Sequence, residues 1–297
     1  MEKPIAVLEL GSKKLKLVLG YELNGKPYVR YTLVKPYGEL MIENGNILDY
    51  SKLINIINEL TSFKDPSMKI DIAISDVVIA LPPFGLEVMK TRQTTGTTND
   101  EGKIQAFDIK NLYQIIRNCN NNEKRGALVD IVPYAFVLDQ GRSFVNAPIG
   151  EVSRTLQVVA NVHTLPQHIV NDYRKVVTSG TLNVKRNIVS SFAAVELIST
   201  EPEYPANYFL VDIGSTTTTV GLVGNKRLFF SDYFQWGGDN ITEKIVACFN
   251  INEADAEKYK ITYGIDKRQM NFKAPVCVTT DDEGHEIKHS IEELNSI

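Results

Sequence analysis

Two short glycine turns constrain this chain more than any other feature. The first is Glu9-Leu10-Gly11-Ser12-Lys13-Lys14, and the second is Asp212-Ile213-Gly214-Ser215-Thr216-Thr217. Each follows an apolar run, Ile5–Leu10 and Tyr208–Val211, and each leads into another, Leu15–Gly20 and Thr218–Val223. Such runs bounded by turn residues read as strands. Each turn therefore closes a β-hairpin whose tip carries an acid, a glycine and hydroxyls. Backbone N–H groups in such a turn cradle phosphate oxygens, and a carboxylate beside them holds a hydrated Mg²⁺. One such turn says little. Two, opening two successive lobes, predict a nucleotide held from both sides.

The chain has 297 residues, enough for two domains with cores of their own. A net charge of −4 and the lack of any basic, aromatic-interleaved stripe give no nucleic-acid footprint. Cys119, Cys248 and Cys277 are far apart and have no CxxC spacing, so they read as reduced thiols of a cytoplasmic protein. The start, Met-Glu-Lys-Pro, runs straight into a strand and lacks the apolar core of a signal peptide. No apolar run approaches the roughly 20 residues of a membrane-spanning helix.

Along the chain, 1–83 reads as the first part of lobe one. Asn24-Gly25 is a two-residue hairpin turn between Leu15–Tyr21 and Tyr28–Val34, Ser51 caps a helix carrying Leu53, Ile57 and Leu60, and Asp76–Leu81 is a buried strand stopped by Pro82-Pro83. Residues 84–165 read as an inserted small α+β subdomain. It comprises a strand at Leu86–Arg92, a turn-rich Thr94–Asp100, a helix at Asp108–Arg117 capped by Asp108, a polar loop at Asn118–Asn122, and strands at Leu128–Leu138 and Thr155–Thr164. Residues 166–200 continue lobe one, with a helix at Pro166–Val177 ended by Gly180, a strand at Asn183–Ile188 and a helix at Ser191–Ile198. Two prolines in Glu201–Pro205 mark a linker, and 201–297 is an incomplete lobe two.

This arrangement resembles the actin-like (ribonuclease H-like) ATPase fold, an α/β fold of two lobes. Further segments resemble the FtsA family of bacterial cell-division proteins, from about Ile5 to about Ile287. They are Asp76–Leu81 leading into the insertion, Val132-Pro-Tyr-Ala-Phe136, Asn146-Ala-Pro-Ile-Gly150, Phe192-Ala-Ala-Val195, Gly237-Gly-Asp-Asn-Ile-Thr242 and Ala256-Glu-Lys-Tyr-Lys260. Their order and spacing carry the resemblance more than any one of them. It implies a protein that binds ATP with Mg²⁺, polymerises into filaments, binds the FtsZ C-terminal tail and links the FtsZ ring to the membrane at the septum. The insertion would contact other division proteins, hydrolysis would be at most weak, and the protein would lie in the cytoplasm, peripheral to the inner face of the membrane. The family continues past Ile297 with a glycine pair at the adenosine, a last helix of lobe one and a membrane-surface helix. The chain thus reads as a fragment or a shortened relative. Alternatives are a PilM-like scaffold of a pilus or secretion assembly, a sugar or acetate kinase, and a vestigial relative that binds no nucleotide.

Residue by residue, the resemblance places Gly11, Ser12 and Lys14 in the first phosphate turn, with Lys13 where a hydroxyl is usual. It places Asp212, Gly214, Ser215 and Thr216 in the second, with Ser215 and Thr216 replacing glycines. A β-branched Thr216 would strain a turn that needs positive φ. Glu9 and Asp212 would hold Mg²⁺ through water, Glu9 standing where aspartate is usual. Glu257 and Lys260, three apart on one helix face, would reach ribose and base; a surface ion pair is the plain alternative. His285-Glu-Ile-Lys-His289 matches a zinc-protease spacing, but Asp281–Gly284 is a turn that would break the required helix. His163 and His168 have no nucleophile motif beside them and read as structural.

Overall fold

The computed structural model describes residues 4–23, 26–61, 74–120, 126–264, 273–280 and 283–297. The chain divides into two compact units, Met1–Asp212 with Thr219–Tyr233, and Ile213–Thr218 with Phe234–Ile297.

The larger unit opens with β1 (Ile5–Leu10), β2 (Lys14–Leu23) and β3 (Lys26–Pro36), a short β4 (Ile42–Glu43) and β5 (Asn46–Ile47), helix α1 (Tyr50–Thr61) and β6 (Asp76–Leu81). The Asn24-Gly25 turn lies outside the described residues. The strands on either side of it pair in the expected antiparallel sense, and both are longer than the apolar runs alone suggest. Alternation puts Leu8, Leu10, Leu15 and Leu17 on the buried face. Asp49, not Ser51, caps α1: its Oδ1 accepts from the Lys52 N–H at 2.9 Å. Both are good capping residues, and the helix starts two residues earlier than Ser51 would set it.

Residues 84–165 contribute β7 (Glu87–Gly96), α2 (Ala106–Asn120), β8 (Ala127–Leu138), β9 (Ser143–Phe144) and β10 (Thr155–Leu165), in the sheet order β7-β10-β8-β9. Ile104, Leu112, Ile116, Phe136, Leu156 and Val162 form a cluster of their own beneath α2. The turn expected from Thr94 begins later, because Thr94, Thr95 and Gly96 pair with Gln157, Leu156 and Thr155. Helix α2 starts two residues before Asp108, which lies in its first turn and accepts from the Gln105 N–H. The expected polar loop also begins later, since Asn118 to Asn120 are still helical; 121–122 lie outside the described residues.

The main body resumes with α3 (Gln167–Ser179), β11 (Asn183–Val189) and α4 (Ser190–Thr200). Strand β11 completes a five-stranded sheet of order β11-β6-β1-β2-β3, in which β11, β6 and β1 run parallel. Gly180 ends α3 as expected, but with φ −84° rather than a left-handed backbone. Its requirement is close approach, because a Cβ there would lie 2.5 Å from Ile57 Cγ2. Next come β12 (Tyr208–Ile213), β13 (Thr218–Gly224) and β14 (Arg227–Phe234), in that sheet order. Tyr208 and Leu210 pack on the main core, while Phe209, Val211 and Phe229 remain exposed.

His163, near the end of β10, is buried, and neither ring nitrogen has a hydrogen-bond partner among the described residues. Its ring meets Phe192 of α4 edge-on at 4.9 Å. Burial pushes its pKa below the ordinary histidine value, opposed only in part by the Asp130 charge. The unfolded chain then binds the proton more readily than the folded one. Stability present above about pH 6.5 is therefore lost as pH falls toward the folded pKa, at up to about 1.4 kcal/mol per pH unit. Urea midpoints between pH 7 and pH 5 check this, and His163→Phe is expected to flatten the acid limb. An unchanged limb would show that another group drives it.

The smaller unit holds α5 (Gly238–Phe249), α6 (Glu253–Tyr263), β15 (Pro275–Thr280), β16 (Glu286–Ser290) and α7 (Ile291–Ser296). Ile245, Phe249, Ala256, Val276, Ile291 and Leu294 form its core. Asn250 ends α5 in a left-handed conformation, φ 51°. Ser290 and Glu293 form a reciprocal capping box at α7.

Candidate functional site

The first turn ends the β1–β2 ladder, whose last register pair is Leu10↔Leu15. The Gly11 N–H donates to the Lys14 carbonyl at 3.0 Å, leaving Ser12 and Lys13 at the tip. A Cβ on Gly11 would stand 3.0 Å from that carbonyl oxygen. The Lys13 carbonyl accepts from the Tyr37 N–H and the Ser12 carbonyl from the Met41 N–H, both at 2.9 Å. The segment before β4 thereby anchors the tip. Glu9 and Lys16 are cross-strand partners, and Lys16 Nζ lies 2.8 Å from Glu9 Oε1. The Tyr37 and Tyr173 hydroxyls are buried without a hydrogen-bond partner among the described residues. Burial, then neighbouring charge that includes Glu9, pushes both phenols well above the ordinary range.

The second turn repeats this construction. The Gly214 N–H donates to the Thr217 carbonyl at 2.8 Å, and a Cβ on Gly214 would again stand 3.0 Å from that oxygen. Neither Ser215 nor Thr216 has a positive φ. The strain expected at Thr216 is therefore absent, and the glycine in each turn serves close approach rather than a left-handed backbone.

The start of α5 is built onto this second turn. The Gly238 N–H donates to the Gly214 carbonyl at 2.9 Å and the Asp239 N–H to the Ser215 carbonyl at 2.8 Å. Two helix N-terminal donors that would otherwise be orphans are thus satisfied. The Asn240 Oδ1 accepts from the Gly237 N–H at 2.8 Å. The Thr218 hydroxyl donates to the Trp236 carbonyl at 2.7 Å, pinning the approach to the helix.

Glu257 and Lys260 lie on α6 and meet α5 at this point. Lys260 Nζ is 2.5 Å from Glu257 Oε2, 2.8 Å from Thr242 Oγ1 and 2.9 Å from the Gly238 carbonyl. The Thr242 hydroxyl lies 2.5 Å from Glu257 Oε2. The pair therefore does more than decorate a surface: it ties α6 to the helix start that holds the turn. Gly214, Ser215, Glu257 and Lys260 thus belong to one hydrogen-bonded assembly in the smaller unit, with Thr216 beside it in the turn. Glu9, Gly11, Ser12 and Lys14 belong to the first turn, and Asp212 is exposed near the end of β12.

Sequence reasoning did not select Gly237, Gly238, Thr242, Lys16 or Tyr37 as site residues. The Gly-Gly pair at a helix start was a usable signal for the first two. The Lys16 pairing follows from counting outward from a two-residue turn at Ser12-Lys13. The HExxH stretch is β16 and its approach. Histidines four apart on a strand are roughly 13 Å apart rather than one helical turn. His289 instead stacks on Phe249 at 4.2 Å and shares a 2.8 Å hydrogen bond with Thr279. Among the described residues no group of three or more His, Cys, Asp or Glu converges on a metal position.

Comparison with known proteins agrees with this architecture. Residues 209–295 match the family model of cell division protein FtsA. The chain is 26% identical to cell division protein FtsA of Streptococcus pneumoniae over 258 residues, 86% of this chain and 55% of that protein. It is 25% identical to the Enterococcus faecalis protein of that name over 275 residues, 91% of this chain and 61% of the other. The chain therefore spans a little over half the length of these curated relatives. Among solved structures, a PilM–PilN type IV pilus biogenesis complex superposes with a TM-score of 0.58 at 20% identity, covering 89% of this chain and 70% of that one. The ethanolamine utilization protein EutJ of Carboxydothermus hydrogenoformans gives 0.51 at 14% identity, covering 89% and 63%. The sequence is thus similar to the FtsA cell-division proteins, and the architecture is that of an actin-like fold.

Proposed function

We propose that the chain acts in cell division as an actin-like protein that binds ATP through its two glycine turns, polymerises, and helps link the FtsZ ring to the membrane at the septum. The observation that carries the nucleotide part is the repeated turn. Gly11 and Gly214 close onto the carbonyl three residues ahead in the same way, each with a hydroxyl residue next in sequence. The division role rests on similarity to proteins named FtsA along most of this chain. The backbones at Gly11, Ser12 and Lys14, and at Gly214, Ser215 and Thr216, would meet phosphate, with Asp212 beside the second turn. Glu257 and Lys260 would reach the ribose and base by exchanging their present partners. Nucleotide would act chiefly as a ligand that biases filament-competent states, with hydrolysis slow.

The subdomain at 84–165 is the proposed surface for self-association and for other division proteins. The FtsZ tail would bind on 201–297, and the protein would lie at the cytoplasmic face of the membrane. Among the described residues no helix is long and apolar enough to cross a membrane. The match to the PilM–PilN complex keeps a pilus-assembly scaffold as the second reading. An FtsZ C-terminal peptide separates the two, because a pilus scaffold should ignore it.

Thermal melting without nucleotide, with ATP in EDTA and with Mg-ATP tests the nucleotide reading. At 100 times its Kd the ligand is expected to add about 2.7 kcal/mol, and Asp212→Ala should reduce the shift. A cooperatively folded protein that does not respond would leave the two turns without their proposed role.

Magnesium fits the first turn poorly. A divalent ion bound through carboxylate and water needs open carboxylate oxygens. Here Oε1 of Glu9 already carries the Lys16 ammonium, so a metal there would share the carboxylate with a fixed cation.

A further inference from the structure

The misfit of magnesium at Glu9 has a physical counterpart in the same hairpin. Glu9 and Lys16 sit directly opposite each other in the β1–β2 register, so their side chains share one face of the ladder. The contact is a 2.8 Å charge-assisted bond. Both side chains keep over a third of their surface exposed, 37% and 40%, so the pair lies where an arriving ligand would meet it. Between Glu9 and Lys16 the chain carries one carboxylate and three lysines, Lys13, Lys14 and Lys16. The formal charge of residues 9–16 is therefore +2 (three lysines less one glutamate). Magnesium held through Glu9 would share that carboxylate with a cation that is covalently tethered across the ladder and bonded to its Oε1.

We infer that Lys16 replaces the divalent cation at the first turn, so that this chain binds the phosphates of ATP without magnesium. The inference rests on the nucleotide reading above and specifies its ligand. A cationic turn attracts free ATP more strongly than Mg-ATP, because the metal removes two of the negative charges that the lysines would meet. The same electrostatics make binding weaken as salt rises, since the pair is near the surface.

The test is titration calorimetry of the full chain with ATP in excess EDTA, and with Mg-ATP, at two salt concentrations. The wild type is expected to bind ATP in EDTA at least as tightly as Mg-ATP. Lys16→Met should weaken EDTA binding by about tenfold or more and make the remainder depend on magnesium, because Glu9 is then open. Lys16→Arg keeps the charge and should keep metal-free binding, and circular dichroism melts of both variants exclude simple unfolding. Binding of Mg-ATP alone, with ATP in EDTA silent, would overturn the inference and leave the nucleotide reading intact. If neither ligand binds, both are overturned.

Discussion

Gly237→Ala is expected to unseat α5 from the second turn and to cost about 3 kcal/mol or more. A Cβ at Gly237 would lie 2.5 Å from the Ser215 carbonyl oxygen, 2.6 Å from the Gly214 oxygen and 2.7 Å from the Ser215 carbonyl carbon. These are backbone atoms and cannot swing aside as a side chain would. The conformation itself is no obstacle, since Gly237 is extended at φ −159°, so the effect is one of space. The neighbouring amides of Gly238 and Asp239 bond to these same two carbonyls, so relieving the clash breaks both bonds. Gly238→Ala is the control. Its Cβ would meet the movable end of Lys260 at 3.2 Å and the Gly214 oxygen only at 3.7 Å, and about 1 kcal/mol or less is expected. Urea unfolding of the two variants, followed by the ATP melting assay, reads both stability and binding. Gly237→Ala melting with the wild type would show that the turn and α5 are not held together as described.

Asp108→Ala is expected to cost about 3 kcal/mol and to loosen the start of α2 and the loop at Thr98. The residue is fully buried. One carboxylate oxygen accepts from the Thr98 N–H at 3.0 Å and the Thr98 hydroxyl at 2.8 Å; the other accepts from the Gln105 N–H at 2.8 Å. Burial alone would raise its pKa, but the bonds from Gln105 and Thr98 outweigh that and hold it below the ordinary carboxylate value. Its contribution is thus present above the unfolded pKa, near 3.9, and is lost as pH falls through the lower folded value. Truncation strands three donors around a small void. Asp108→Asn keeps one acceptor oxygen and turns an amide toward the Gln105 N–H, so an intermediate loss is expected. Hydrogen exchange at Thr98 and Gln105 provides the local readout. Unchanged protection in the alanine variant would mean that the ladder to β10 holds this region without the carboxylate.

These two sites differ in how much of each is legible from the order of residues alone. Asp108 was legible as a helix-start residue, because a short acceptor side chain before an amphipathic run is a local signal. Its partner Thr98 was not, since the contact forms only when β7 pairs with β10 and carries the loop back over α2. That same pairing extended β7 through Thr94, Thr95 and Gly96, a stretch whose composition alone argues for a turn. At Gly237 the glycine pair is visible in the chain, but the carbonyls that demand it belong to a turn more than twenty residues earlier. Gly180 was legible as a stop, whereas the reason for glycine there, Ile57 of α1, was not.

What depends on neighbours along the chain was readable from the order of residues. That order set β1 and β6 to the residue, the two glycine turns at Gly11 and Gly214, and the order of β7, α2, β8 and β10 though not the short β9, while the two helices after the second turn were expected from the family resemblance. Period-two alternation, glycine and proline act over a few residues, so they can be read without the fold. Only the tertiary structure decided how the site's side chains are engaged. It put Lys16 on Glu9, Lys260 and Glu257 on Thr242 and Gly238, and the first amides of α5 on the second turn's carbonyls. A charged side chain takes whichever partner the packing brings within about 3 Å. That choice depends on register, on helix placement and on backbone approach, none of which is written at the residue itself.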